Sequence, residues 1–178
     1  MALRILLATA MGGARLAELA YSARNLRRRS GVESSRNRAI YPLIIAIHTI
    51  AIVGTLLRGG RLVSPAWLAL LIAAQPLRAW VMATLGERWN TRAAVPPDTR
   101  IETGGPYRYI RHPNYVVVVI ELLALPMAFG LRRLAVAIAL ANAVLLAFRI
   151  NEEERALLRV PGYREYMASV PRFIPKLF

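Results

Sequence analysis

Residues 39–57 read AIYPLIIAIHTIAIVGTLL, a run without one charged side chain. Crossing the hydrocarbon core of a bilayer takes about 20 mostly apolar residues in a helix, and about 17 at the short limit. Residues 40–57 meet that length and are read as a spanning helix. Working outward, residues 65–85 form a second apolar stretch, interrupted by Gln75, Pro76 and Arg78. Residues 113–130 carry one carboxylate, Glu121, and Pro126, which is expected to kink the helix. Residues 134–150 are polar only at Asn142 and Arg149. Residues 2–22 contain Arg15 and Glu18. They read either as a first span or as a secretory signal, with Arg4 preceding a short apolar run over 5–10.

The expected fold class is therefore all-α, an integral membrane helical bundle with about five transmembrane helices. Composition agrees: AVILMFWYC make up 56% of the chain and mean hydropathy is +0.40, above the range of soluble domains, which excludes disorder and an ordinary soluble globule. The absence of cysteine excludes disulfides, thiolate metal sites and a cysteine nucleophile. No metal site is expected.

The net charge of +14 comes almost wholly from arginine, with Lys176 the single lysine. Such a charge suggests nucleic acid, but the arginines lie between apolar runs rather than along one helix face, so no nucleic-acid partner is expected. Five spans place residues 23–39, 86–112 and 150–178 on one side. With Arg149 at the boundary, that side holds 17 of the 24 Arg and Lys, against five on the other. By the positive-inside rule the arginine-rich side is cytoplasmic, the N-terminus outside and the C-terminus inside, in a membrane expected to be the bacterial cytoplasmic one.

Two polar clusters fall on that side. One is the loop Glu102-Thr-Gly-Gly-Pro-Tyr107-Arg-Tyr-Ile-Arg111-His112-Pro113-Asn114-Tyr115. Pro113 suits a first helical position and biases His112 toward an extended conformation, leaving the following peptide N–H groups to bind an anion. Gly104 and Gly105 permit close backbone approach to a ligand. The same Tyr and Arg residues could equally anchor a helix end at the headgroups. The other cluster is Arg149-Ile-Asn-Glu152-Glu153-Glu154. Arg149 and Glu153 are four apart and share a helix face, whereas Glu152 and Glu154 point elsewhere. Three acids at a helix C-terminus oppose the macrodipole and call for a bound cation or neighbouring arginines. A hairpin of the last two helices would bring both clusters into one site, suited to a zwitterionic cofactor beside an anionic substrate.

Gly105-Pro-Tyr107-Arg-Tyr-Ile-Arg111-His112-Pro113-Asn114-Tyr115, then Arg149-x-x-x-Glu153-Glu154-x-x-Leu157, Tyr163-x-x-Tyr166 and Val170-Pro-Arg-Phe-Ile-Pro175, resemble the isoprenylcysteine carboxyl methyltransferase family and the related membrane phospholipid methyltransferases. The strong resemblance covers residues 99–178. Leu85-Gly86-Glu-Arg-Trp89-Asn-Thr91-Arg92, with Arg15, Glu18, Tyr41-Pro42 and His48, is similar to a bacterial branch that accompanies type III polyketide synthases and O-methylates alkylpyrones. The resemblance implies one domain over 1–178, with N-terminal helices in 1–98 and a cofactor-binding half in 99–178. It implies S-adenosylmethionine in a cytoplasmic pocket lined by Tyr107, His112, Pro113, Asn114 and Tyr115, with Glu153 on the cofactor's cationic part. Arg100, Ile101 and Glu102 would contribute through their backbone, and Arg149 would hold the acceptor's anionic oxygen. Where the family usually has Phe-Gly after the paired acids, this chain has Pro161-Gly162.

The reaction so implied is O-methylation of a lipophilic acceptor, with membrane lipid as surroundings. A carboxylate or acidic enol is already an anion at neutral pH, so no strong general base is needed and His112 is expected to contact cofactor. His48, inside a span, is expected to hydrogen-bond between helices. Arg78 and Glu121 are costly at membrane depth and are expected to pair with each other, with Glu18 or with substrate. Alternatives are a phospholipid N-methyltransferase, an NADPH-dependent sterol or fatty-chain reductase, whose pyrophosphate the Glu153–Glu154 pair would repel, and a non-enzymatic membrane scaffold.

Overall fold

The computed structural model describes residues 1–29, 33–95 and 99–175. Lys176 and residues 30–32 and 96–98, all counted above on the arginine-rich side, lie outside the described residues. Helices α1 (Ala2–Arg29), α2 (Ser35–Arg58), α3 (Pro65–Leu85), α4 (Pro113–Ala128) and α5 (Arg132–Leu157) form the bundle, and a short α6 (Tyr163–Ser169) closes the tail. No strand occurs among the described residues.

Among the described residues three helices, α2, α3 and α5, are long and apolar enough to cross a membrane. The chain is an integral membrane protein. Helix α5 shows why: Val136, Leu140, Val144 and Phe148 recur every four residues and are all at least half exposed, while Ile138, Asn142, Leu146 and Arg149 on the opposite face are buried. An apolar outer face with polar groups turned inward is the pattern lipid imposes. Helix α4 spans 16 residues, about 24 Å at 1.5 Å per residue and short of a hydrocarbon core of about 30 Å. It stops at Ala128 because Pro126 occupies its last turn. The expected kink within a longer helix is thus a helix end. Pro42 and Pro76 lie within α2 and α3 without ending them. Helix α1 runs seven residues past the expected end and packs into the bundle, where Asn25 Nδ2 donates to the Trp89 carbonyl at 2.8 Å.

Lipid tails are as apolar as leucine, so close packing and polar bonds must hold the helices together. Ala8, Ala51, Ala74, Ala124, Ala128 and Ala135 are essentially inaccessible and bring the helix backbones close. Helix α4 is the centre, packed on α3 and α5, and α2 packs on α1 and α5. One apolar cluster joins Met11, Leu71, Leu125 and Phe129, and a second joins Ile47, Ala51, Leu122 and Ile138.

A charged quartet crosses this core. Arg78 bonds Glu121 at 2.5 Å and lies 3.6 Å from Glu18, and Arg15 lies 2.6 Å from Glu18 and 3.4 Å from Glu121. Gln75 Nε2 also donates to Glu121 Oε1, at 3.1 Å. Two cations facing two anions give a neutral group, which lowers the cost of burying each charge. Arg78 and Glu121 do pair with each other, and Arg78 also pairs with Glu18, as expected. His48 differs from expectation: its Nδ1 bonds Ile44 O at 2.8 Å, within its own helix. A carbonyl one turn back is always within reach, and it needs no neighbouring helix.

Candidate active site

The α4–α5 hairpin brings the two polar clusters together. Tyr115, in the first turn of α4, donates its hydroxyl to Glu153 Oε2 and accepts from Arg149 Nε at 2.9 Å. The expected alliance of Arg149 with Glu153 therefore runs through a tyrosine oxygen rather than as a direct ion pair. Arg149 is buried, and its Nη2 donates to the Thr91 carbonyl. Its Nη1 remains uncommitted among the described residues.

The three acids of α5 each find a cationic or donor neighbour, which answers the conflict with the macrodipole. Glu152 faces outward to Arg36 and Arg155, both at 3.0 Å. Glu154 points away from the face shared by Arg149 and Glu153, as expected, and turns to the loop and the tail instead. It is buried, accepts from His112 Nε2 at 2.9 Å, and lies 2.6 Å from Arg172 and 3.3 Å from Arg111. A carboxylate can only accept from the imidazole here, so it fixes the proton on Nε2. Its ring also stacks on Tyr115, with centroids 5.3 Å apart.

The tail straps the loop in place. Arg111 and His112 N–H groups donate to the carbonyls of Pro171 and Arg172 at 2.8 and 3.1 Å, and the Tyr166 hydroxyl donates to the Tyr107 carbonyl at 2.7 Å. Burial pushes the Tyr166 phenol up to about 12 and raises that of Tyr107, so both stay protonated at neutral pH. Gly162, at φ +81°, starts α6 and turns the chain back beside Ile101.

Two expectations about the loop backbone change. His112 has φ −124° and ψ 56°, short of a fully extended conformation, and its carbonyl takes the N–H groups of Tyr115 and Val116 at 3.1 and 3.3 Å. Most of the expected anion-binding donors are thus spent on the helix itself. Gly105 (φ +53°) approaches α3 rather than a ligand: a Cβ there would collide with Thr84 Oγ1 and come within 3.1 Å of Trp80 Nε1. Gly105→Ala is expected to cost about 1–3 kcal/mol, read as a lower melting temperature of the purified protein in detergent.

Two cavities meet at this site. The smaller cleft, about 140 Å³, is lined by Arg100, Ile101, Glu102, Tyr107, His112, Asn114, Tyr115, Arg149 and Glu153. Of the residues expected to form a cofactor pocket, only Pro113 is absent from the lining, being fully buried behind it. The larger cavity, about 360 Å³, runs between α1, α2, α4 and α5 and is walled mainly by apolar side chains such as Leu19, Ile44, Ile52, Val118 and Leu146. Trp89, Thr91, Asn114, Tyr115 and Arg149 border it at the end it shares with the cleft, where all but Thr91 belong to both linings.

Thr91 and Trp89 are the residues the motifs did not assign. Besides holding Arg149 by its carbonyl, Thr91 bonds Tyr41 and Ser22 through its hydroxyl at 2.7 and 3.0 Å, tying α1 and α2 to the site. The stretch around Trp89 and Thr91 was visible as a motif, but a contact made by a backbone carbonyl has no side-chain signature. Glu154 could have been found by asking what fixes the His112 tautomer.

The cleft has unsatisfied polar groups. Arg111 Nε, Trp89 Nε1, Thr99 Oγ1 and the Tyr163 hydroxyl are buried, lack hydrogen-bond partners among the described residues, and belong to its lining. Glu153 and Glu102 supply anionic oxygens, and Arg111 and Arg100 supply cations. This donor set suits a polar ligand carrying both a cation and a carboxylate.

Comparison with known proteins accords with this arrangement. The profile of the isoprenylcysteine carboxyl methyltransferase (ICMT) family matches residues 67–159. The chain is 32% identical to the uncharacterized protein YpbQ of Bacillus subtilis over 152 residues, 80% of this chain and 89% of that one. It is 27% identical over 140 residues to the nickel-cobalt-cadmium resistance protein NccN of Alcaligenes xylosoxydans xylosoxydans, covering 78% of this chain and 64% of that one. It is 28% identical over 113 residues to the cobalt-zinc-cadmium resistance protein CzcN of Cupriavidus metallidurans, covering 62% and 52%. Among the described residues no group of three or more His, Asp or Glu is placed to hold a metal ion. With helices built for lipid and the matched segment carrying Arg149, Glu153 and the loop that faces them, the chain belongs to the isoprenylcysteine carboxyl methyltransferase family of membrane methyltransferases.

Proposed function

We propose that the protein transfers a methyl group from S-adenosylmethionine, the donor used in its family, to an anionic oxygen of a lipophilic acceptor. The acceptor is a carboxylate or acidic enol, as in prenylcysteine-like or alkylpyrone compounds, and transfer occurs at the cytoplasmic face. The observation that carries this reading is the meeting of a polar cleft and an apolar cavity at Trp89, Asn114, Tyr115 and Arg149. When bound, the cofactor would supply an electrophilic methyl carbon on a sulfonium, open to displacement by the acceptor oxygen with the electron pair of the C–S bond kept by sulfur.

The chain's own residues then have three tasks. Glu153 and Glu102 hold positive charge in the cleft, Arg111 receives a carboxylate, and Tyr107, His112 and Tyr115 shape the wall. Arg149 holds the acceptor oxygen through Nη1 while Tyr115 and Thr91 fix its other nitrogens. The apolar cavity takes the acceptor's hydrocarbon and keeps water from the junction, so that alignment supplies much of the rate. The acceptor oxygen carries no proton to lose, and no general base is required of His112; bonded to Glu154, it positions the wall.

Purified protein with S-adenosylmethionine, phosphatidylethanolamine and an acidic lipid acceptor separates this reading from N-methylation. Methyl gain on the acidic acceptor alone is expected, and gain on the amine alone overturns it. Arg149→Ala is expected to spare cofactor binding and raise the acceptor KM by about 10- to 100-fold, the loss of one charged hydrogen bond, measured by steady-state methyl transfer.

A further inference from the structure

Asn142 is polar, 4% exposed, and faces the larger cavity from the middle of α5. Its carboxamide has no hydrogen-bond partner among the described residues. This sets it apart from its neighbours. Except for the Trp89 indole at the shared end, each of the other polar side chains in that lining makes at least one polar contact, although Arg15 Nε and Arg78 Nε lack hydrogen-bond partners: Arg15, Glu18 and Arg78 in the charged quartet, Tyr41 with Thr91, Thr49 with Ile45 O, and Asn114 with Arg78. An unpaired amide in an apolar interior costs about 1–3 kcal/mol. In a helix otherwise apolar from Leu134 to Phe148, a leucine would avoid that cost.

Position adds direction. Asn142, Leu146 and Arg149 line the cavity from one face of α5. Asn142 lies seven residues before Arg149, two turns or about 10 Å deeper. His48 lines the same cavity, and with Nδ1 bonded to Ile44 its Nε2 is the free ring nitrogen. Leu134 packs on Gly54, and Ile138 on Ile47 and Ala51, so the antiparallel pair α2 and α5 sets His48 and Asn142 within about one turn of the same depth.

We infer that Asn142, with His48, forms a second polar subsite that recognises an uncharged oxygen of the acceptor about 10 Å from the oxygen held by Arg149. With the Nδ1 proton given to Ile44 O, His48 Nε2 accepts, so the acceptor class is a long-chain compound with an anionic head and a hydroxyl part-way along the chain. An uncharged group fits because Asn142 is neutral and the nearby charges of the quartet already balance one another. The inference rests on the acceptor reading of the larger cavity.

The full-length protein in detergent is incubated with equal amounts of stearate and its mid-chain hydroxylated counterpart, with the hydroxyl about 10 Å from the carboxylate. Bound fatty acid is then quantified by mass spectrometry. Wild type is expected to retain the hydroxylated form about tenfold over stearate, and Asn142→Leu to lose or invert that preference at an unchanged or higher melting temperature. Equal retention by wild type, retention of neither, or an unchanged preference in a folded Asn142→Leu overturns the subsite. S-adenosylmethionine binding is measured on the same samples by calorimetry. Its absence beside an intact hydroxyl preference would reject the methyltransferase reading while leaving the subsite standing.

Discussion

Replacing Glu153 with alanine is expected to abolish S-adenosylmethionine binding, weakening it by at least about 100-fold in calorimetric titration. A charge-assisted contact is worth about 1.5–3 kcal/mol, and each 1.4 kcal/mol is tenfold. The loss should exceed that of one contact, because Glu153 also accepts the Tyr115 hydroxyl. Without it, Tyr115 is free to turn, and Arg149, bonded to the same oxygen, loses one of its fixed points. Tyr115→Phe separates the two contributions: it removes the hydroxyl and keeps the carboxylate, and is expected to retain cofactor binding while lowering kcat. Normal binding by Glu153→Ala would show that the cleft is not the cofactor site.

The second large effect concerns the fold. Glu121→Ala leaves Arg15 and Arg78 facing one carboxylate instead of two, in a bundle core where Glu121 is 3% exposed. Breaking a buried ion pair from one side costs about 3–5 kcal/mol, because the orphaned charge stays desolvated. The expected result is a collapse in yield of folded protein and a large fall in melting temperature. Removing one charge of each sign, as in Arg15→Leu with Glu18→Leu, keeps the core neutral and should be far milder. Equal damage from both would show that the quartet matters for shape rather than charge balance. Arg78 also donates to Asn114 Oδ1 at 2.7 Å, so the quartet reaches the lining of both cavities, and its loss should be felt in activity before the protein unfolds.

Hydropathy made much of this architecture readable. The charge-free run around His48 and the apolar stretch after Leu134 are helices of spanning length, because lipid tolerates few other backbones. Asn142 and Arg149 were legible as exceptions for the same reason, and both face inward. Spacing also placed Arg149 and Glu153 on one helix face. What spacing could not show is what meets that face. Tyr115 as the shared partner, the Thr91 carbonyl on Arg149, and the burial of Glu154 against His112 all depend on tertiary approach of segments 34 to 58 residues apart. Gly105 was read correctly as a residue where backbone must come close, yet the neighbour is Thr84 of α3. A glycine reports the need for space and leaves open what fills it.

The most direct measurement is transfer of an isotope-labelled methyl group from S-adenosylmethionine into the lipid extract of membranes containing the protein. Label is expected in an organic-soluble acceptor, as a mass gain of one methylene at an acidic oxygen, and is expected to vanish in Glu153→Ala membranes with the same amount of folded protein. Label that persists in that variant, or calorimetric binding of NADPH in place of S-adenosylmethionine, would contradict the assignment of the two meeting cavities to methyl donor and acceptor.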